Sequence, residues 1–315
     1  MPQLTKTLRC SMTRYLNTTT RSTTRSSNGA KEDSFMKVLV TASYGHIGQQ
    51  VIPLLAQQHV EVVAVDPDPA NQAPLKALGA SQVIVGDIRR DEIIDQAVAD
   101  VDKILLILPD ALDGMVPMAE RLITAAEKAH VTHFVFSSCL NTVMELAQHW
   151  EKYEIEDRLM GSTLNYTITK PSGYMEGHFP TGPDSLFETG VLTTFIKVDQ
   201  PSNLISLNDI AAANVKVLLS DDDYYACSLD LCSAGNRTTR EYAQEVCDKT
   251  GKTLKINLIP VPDFPSVHAN DQFGRIATYH GNHPYKGNPL DFNALMGRPA
   301  KTFSQYVDEV LAVKA

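Results

Sequence analysis

The chain has 315 residues, 43% of them apolar and 21% charged, with 28 Lys and Arg against 37 Asp and Glu for a net charge of −9. That length holds one large domain or two small ones, and the apolar content excludes both a disulfide-stapled miniature fold and a wholly unfolded chain. The longest apolar run, Ile104 to Leu108, is far short of the ~20 residues that cross a bilayer, which excludes a membrane-spanning helix.

Residues 1–31 carry six basic side chains, no acidic one and twelve Ser or Thr, so the rest of the chain stands at −15. So acidic a body repels phosphate backbones, and direct nucleic-acid binding by the folded part is not expected. Leu4, Leu8, Met12 and Tyr15 can share one helical face. This Arg- and Ser-rich, acid-free composition describes a mitochondrial transit peptide. Met36 opens the first strand and equally allows residues 1–35 to be a disordered tail on a cytoplasmic protein. The five cysteines (Cys10, Cys139, Cys227, Cys232, Cys247) include no C-x-x-C pair and agree with free thiols in a reducing compartment.

From Met36 onward, short β-branched runs alternate with helical patterns. The runs fall at 38–40, 60–65, 82–85, 104–108, 133–137 and 164–169. Near-continuous apolar strands at such spacing imply right-handed βαβ crossovers and a parallel sheet covered on both faces, which is a doubly wound α/β fold. Pro117 suits a helix's first turn, and Met118, Leu122, Ala125, Ala126 and Ala129 form its apolar stripe. Gly161 closes a helix that holds Trp150 and Leu159. Beyond residue 171 the pattern loosens, with Pro and Gly clusters at 171–190 and 281–299. Helical segments near 208–219, 238–250 and 302–313 there predict a smaller cap.

The first strand runs into VTASYGHIGQQV, where Gly45 and Gly48 sit three apart at a strand-to-helix turn. Glycine there lets a pyrophosphate approach the backbone, and the helix N-terminus offers it N–H groups and positive dipole. The second strand ends on Asp66, 21 residues after Gly45. A carboxylate at that place accepts hydrogen bonds from ribose hydroxyls and repels a 2′-phosphate. Pro67, Asp68 and Pro69 supply no cation, so NAD(H) is expected to be preferred over NADP(H).

The segments MKVLVTASYGHIG, LKALGASQVIVGDI, AVADVDKILLILP, AAEKAHVTHFVFSS, KYEIEDRL, LNYTITKPSGYMEG, SLNDIAAANVKVLL and LMGRPAKTFSQYV occur in this order over 36–312. In these segments the chain resembles the NmrA-like family of atypical short-chain dehydrogenase/reductases. The resemblance implies an NAD(P)-binding Rossmann domain of the extended type over 36–171. A smaller C-terminal α+β cap over 172–315 would return some segments to the sheet. By position it assigns Thr41, Ser43, Tyr44, Gly45, His46, Ile47 and Gly48 to the phosphate loop. Asp87 and Ile88 would flank the adenine, Leu108 and Pro109 would lie under the nicotinamide half, Ser137 and Ser138 beside the reacting ring, and Pro171 would also touch the cofactor. Lys152 would hydrogen-bond the nicotinamide ribose. Three positions depart from the family: Ala42 replaces the first loop glycine, Pro67 an Arg that binds 2′-phosphate, and Lys170 the Arg before Pro171.

The larger superfamily protonates its product from the Tyr of a Y-x-x-x-K pair, whose Lys lowers the phenol pKa. Four residues before Lys152 stands Gln148, which has no such proton. Tyr166 and Lys170 match the spacing, but on a strand they lie ~13 Å apart and form no pair. The resemblance makes Lys152, Ser137 and Ser138 the candidate catalytic residues, and Lys152 alternatively pairs with Glu156 as a solvated helix face. Tyr174, Met175 and Phe179 are expected either on the substrate side or in the cap core. His280 and His283 form an H-x-x-H in a Gly- and Pro-rich loop without a third ligand of suitable spacing, so no metal is expected. Cys139 is expected to be a buried small residue without a histidine to activate it.

Two functions follow from the resemblance. One is an NAD(P)H-dependent oxidoreductase that reduces a small quinone or carbonyl acceptor. The alternative is a non-catalytic dinucleotide sensor that binds a protein partner.

Overall fold

The computed structural model describes residues 35–109, 113–259 and 271–314. The expectations placed on residues 1–34 lie outside it. Five strands form where the sequence runs apolar: β1 Lys37–Val40, β2 Glu61–Asp66, β3 Gln82–Val85, β4 Lys103–Ile107 and β5 His133–Ser137. All side chains of β4 and β5 are buried, as a sheet covered on both faces requires. Between these strands run α1 Gly48–Gln57, α2 Gln72–Ala77, α3 Asp91–Val98 and α4 Met115–Lys128. Next come α5 Ala147–Met160, which ends at Gly161, and β6 Tyr166–Pro171.

The remaining elements follow β6. They are β7 Gly173–Tyr174, α6 Met175–His178, α7 Leu186–Thr189, β8 Val191–Thr194, β9 Pro201–Ser202, β10 Leu204–Ile205 and α8 Leu207–Leu219. After these follow β11 Cys227–Leu231, β12 Arg237–Thr238, α9 Thr239–Thr250, β13 Lys255–Leu258, α10 Asp271–Asn282, α11 Leu290–Met296 and α12 Phe303–Lys314.

Seven strands make one sheet in the order β11-β6-β5-β4-β1-β2-β3, every pair parallel. The order reverses between β1 and β4, and this opens a crevice at the carboxyl ends of the strands. One face is covered by α1, α2, α8 and α11 through Val51, Leu55, Leu75, Ile210, Val217 and Phe292. The other is covered by α3, α4 and α5 through Ile94, Met118, Leu122, Ile155 and Leu159. A third cluster, with Phe179, Phe187, Tyr242, Phe303 and Tyr306, forms the cap core.

The helix near 208–219 does not belong to the cap. Its Ile210, Ala211, Ala213, Val217 and Leu218 pack against the sheet beside α1, because nearly its whole circumference is apolar and only a sheet face can bury it. Lys103 fastens it there: 5% exposed, its ammonium donates to the carbonyls of Leu218 (2.6 Å) and Ser220 (2.8 Å) at the end of α8. At the other end Asp209 is bound by Arg298 (2.8 Å) and by the Lys301 amide (2.7 Å), tying α8 to the chain entering α12. No helix among the described residues is long and apolar enough to cross a membrane.

Candidate active site at the strand switch point

The turn after β1 lines the crevice. Ala42 sits at φ +44°, a left-handed conformation that glycine adopts without cost and alanine does not. The family glycine missing at this position is therefore missed by the backbone. A Cβ on Gly48 would run into the carbonyl oxygens of Ser43 and Ala42, whereas one on Gly45 would only touch Ala42 O at 3.0 Å. Gly48 lets α1 start close beneath the turn, where the Gln49 and Gln50 amides already donate to Gly45 O and Ile47 O at 3.0 Å each.

Two loop hydroxyls are spent inside the fold. Thr41 Oγ1 donates to Ile107 O (2.7 Å) and accepts from Ile107 N (2.8 Å), stapling β1 to β4. Ser43 Oγ donates to Val40 O (2.7 Å) and accepts from Val65 N (2.8 Å), stapling the turn to β2. Ile47 and Gly48 are buried, Tyr44 is half-buried, and His46 is exposed.

Beside the turn lies a slot of about 190 Å³ lined by Ala42, Val65, Pro67, Asp87, Ile88 and Pro109. Its apolar walls and edge carboxylate fit an adenine base. Asp66 is 7% exposed, and its Oδ1 accepts from the Asp68 amide (3.0 Å) and from Asn71 Nδ2 (2.8 Å). One carboxylate oxygen thus holds the local turn. The Arg89 guanidinium lies on Asp87, with Nε at 3.0 Å from both oxygens and NH2 at 2.6 Å from Oδ2, and holds that carboxyl below its usual pKa range. Arg89 also borders the slot, a cation that reading only the residues after β2 does not find.

At the ends of β5 and β6, Ser137 Oγ is buried without a partner among the described residues. Ser138 Oγ instead donates to Glu156 Oε1 (2.6 Å). Glu156 is 3% exposed, and its Oε2 also takes Lys170 Nζ (2.8 Å) and Thr142 Oγ1 (3.3 Å). It lies on no solvated face, because α5 turns it under the sheet end. Lys152 is half-buried one turn before it, and Gln148 is buried one turn earlier still. Tyr166 and Lys170 both belong to β6, and the Lys170 ammonium goes to Glu156. Leu108 is half-buried, Pro109 exposed and Pro171 buried at the strand ends.

Met175 and Phe179, fully buried, pack in the cap core with Tyr242 and Phe303 instead of facing the crevice, since one turn of α6 points both inward. Tyr174 is half-buried and packs toward the sheet. Cys139 has the histidine neighbour that the sequence did not disclose: its Sγ is 3.5 Å from His149 Nδ1. That nitrogen also lies 2.9 Å from Asn141 O, a pure acceptor, so Nδ1 carries the proton and is no base toward the thiol. His280 ends α10 and His283 follows that helix; they do not sit in an open loop. Among the described residues no three His, Cys, Asp or Glu are placed to hold a metal.

Residues 43–221 match the NAD(P)H-binding family. Quinone oxidoreductase 2 of Escherichia coli is 25% identical over 289 residues, covering 88% of this chain and 99% of that protein. Its crystal structure with NADPH superposes with a TM-score of 0.72 at 24% identity, over 87% of this chain and 99% of that one. The Citrobacter triphenylmethane reductase complexed with NADP(H) gives 0.73 at 20% identity, over 87% and 99%. NmrA, a negative transcriptional regulator in complex with NADP, gives 0.71 at 13% identity, over 89% and 96%.

Proposed function

The chain belongs to the NAD(P)H-binding family and shares its fold with NmrA, and from this premise we propose that it is an NAD(P)H-dependent reductase of a small quinone or carbonyl acceptor. The observation that carries the reading is the adenosine-sized slot where the G-x-x-G turn opens α1, at the point where the strand order reverses. Likeness to a quinone oxidoreductase along that protein's whole length supports the acceptor class.

In this reading the amides of His46, Ile47 and Gly48 hold the pyrophosphate, the Gly45 amide being spent on Ala42 O at 2.9 Å, and Asp87 with Ile88 holds the adenine. The free Asp66 oxygen accepts from the adenosine ribose. Leu108, Pro109 and Pro171 support the nicotinamide half, whose amide or ribose finds the unpartnered Ser137 hydroxyl. The cofactor, when bound, supplies a hydride, so that acceptor, NAD(P)H and one proton become the reduced acceptor and NAD(P)⁺. Lys152 binds the nicotinamide ribose and places positive charge near the acceptor oxygen as it becomes anionic. Glu156, through Ser138 and Lys170, fixes the ends of β5 and β6 against α5.

NADH is the preferred form. Pro67 stands where a 2′-phosphate needs a cation, and Arg89 is already neutralised by Asp87. The test is titration with NADH and NADPH, followed by a panel of quinones and aliphatic ketones. Saturable binding with quinone turnover is expected. Binding without turnover of any acceptor replaces the reductase by a dinucleotide sensor, a role that Gln148 in the tyrosine position favours.

A further inference from the structure

A second cavity, of about 180 Å³, lies in the cap and is lined by Gly173, His178, Ser202, Ile276, His280 and Tyr285 among others. It abuts the ends of β5 and β6. The Tyr285 hydroxyl donates to Leu140 O at 3.0 Å, two residues past Ser138. The Asn203 amide donates to Tyr285 O at 2.7 Å, and the Gly173 amide to Asn203 O at 3.2 Å. The His280 ring packs edge-on against Tyr285 (4.9 Å between centroids) and 6.3 Å from His149, which itself lies beside Cys139.

The lining decides what the cavity accepts. Among the described residues its lining has no Asp or Glu to partner a cation, and the ammonium of Lys197, which also borders it, donates to Asn282 Oδ1 at 2.6 Å. Among the described residues its histidines join no group of three that could hold a metal. Burial and the neighbouring His149, His178 and His283 bring the His280 pKa down to about 4, so at neutral pH it is an uncharged imidazole with one N–H to give. Ser202 Oγ is buried without a partner among the described residues, and this hydroxyl also serves no bond of the fold. The volume is below the ~300 Å³ at which drug-sized pockets begin, which limits the occupant to one ring or two fused rings.

We propose that this cavity is the acceptor site and takes an uncharged, planar quinone of one or two rings, with the His280 imidazole and the Ser202 hydroxyl donating hydrogen bonds to its carbonyl oxygens. The assignment of the bound quinone as acceptor rests on the reductase reading; the binding itself does not.

The probe is 2,3-dimethyl-1,4-naphthoquinone, whose substituted ring carbons resist addition of the Cys139 thiol. Its binding to the full chain is measured by equilibrium dialysis without dinucleotide, for the wild type, His280→Leu and the cavity-filling Ile276→Phe. NADH and NADPH titrations without quinone run in parallel. The wild type should bind the quinone saturably, both variants at least about tenfold more weakly with dinucleotide affinity unchanged, and cationic malachite green should not compete. Equal quinone binding by wild type and variants, no quinone binding by the wild type, or effective competition by malachite green overturns the proposal. If one variant fails to fold, the other decides. Failure of the reductase reading is separate: it appears as absent dinucleotide binding or absent turnover, whichever way the dialysis falls.

Discussion

Ala42→Gly should make this protein more stable and a better dinucleotide binder. At φ +44° the alanine methyl is held against its own backbone, at a cost of about 1–2 kcal/mol that glycine escapes. Glycine also gains freedom in the unfolded chain, which returns about 0.4–1 kcal/mol of that advantage. The net is a gain of roughly 0.5–1 kcal/mol, a rise in Tm of ~1–4 °C for a domain of this size. Because Ala42 borders the adenosine slot, removing its methyl also lets a pyrophosphate lie closer to the turn, and affinity for NADH should rise several-fold. Thermal unfolding and calorimetric titration read the two effects separately. Ala42→Val, whose branched side chain is worse at positive φ, must move both quantities the other way. A glycine variant that melts below the wild type, or a valine variant that melts with it, refutes the argument.

The remaining expectations are briefer. Asp66→Ala with Pro67→Arg should shift affinity toward NADPH by about tenfold, ~1.4 kcal/mol, in competitive titration; a wild type that already prefers NADPH refutes the reading of Asp66. Gly48→Ala should cost ~1–3 kcal/mol of stability because its Cβ meets backbone, while Gly45→Val should keep the fold and lose dinucleotide binding; the reverse pattern in melting and titration contradicts the geometry. Lys152→Met should lower kcat by about 10²-fold, ~2.7 kcal/mol, with only a modest loss of NADH affinity, and unchanged turnover returns Lys152 to a plain helix position. Fully buried His133 has its pKa lowered to about 4, first by burial and then by Lys103. A folded pKa below the unfolded 6.5 means its stabilising effect is complete above pH 6.5 and lost as pH falls toward 4. Roughly 3 kcal/mol of stability loss between pH 6.5 and 4 should therefore vanish in His133→Phe, read by denaturant titration against pH.

Most of the sheet was legible because its strands are buried on both faces and therefore read as unbroken apolar runs. β11 was not: Cys227–Leu231 is a half-exposed edge strand whose CSLDL resembles any surface segment, and only pairing with β6 makes it a strand. The helix α8 was legible as a helix but not as a neighbour of α1, since amphipathicity says that a face is buried and not against what. At the site, spacing revealed where a phosphate turn lies. It did not reveal that the Thr41 and Ser43 hydroxyls are consumed by β4 and β2, since those bonds join residues 66 and 22 positions apart. Glu156 follows the same rule, drawing Ser138 and Lys170 from two different strands. His280 and Tyr285 were hidden for another reason. Their cavity is built by the cap, where no period connects α10 to the exits of β5 and β6; the H-x-x-H spacing was the only trace.

The missing phenol and the imidazole cavity bear on one question, which is where the product's proton comes from. Hydride addition to an aliphatic ketone leaves an alkoxide, so basic that it needs a positioned acid, the work done elsewhere by the tyrosine before the lysine. Hydride addition to a quinone leaves the anion of an aromatic phenol, whose ordinary pKa near 10 lets water complete the reaction. On the proposed reading, a site with Gln148 in place of the tyrosine serves the second acceptor better than the first. An uncharged His280 is consistent with that division: it can steady a carbonyl oxygen through an N–H, but with a pKa of about 4 it holds almost no transferable proton at neutral pH. On the proposed reading, both the residue that is absent and the residue that is present therefore favour an acceptor that becomes aromatic on reduction.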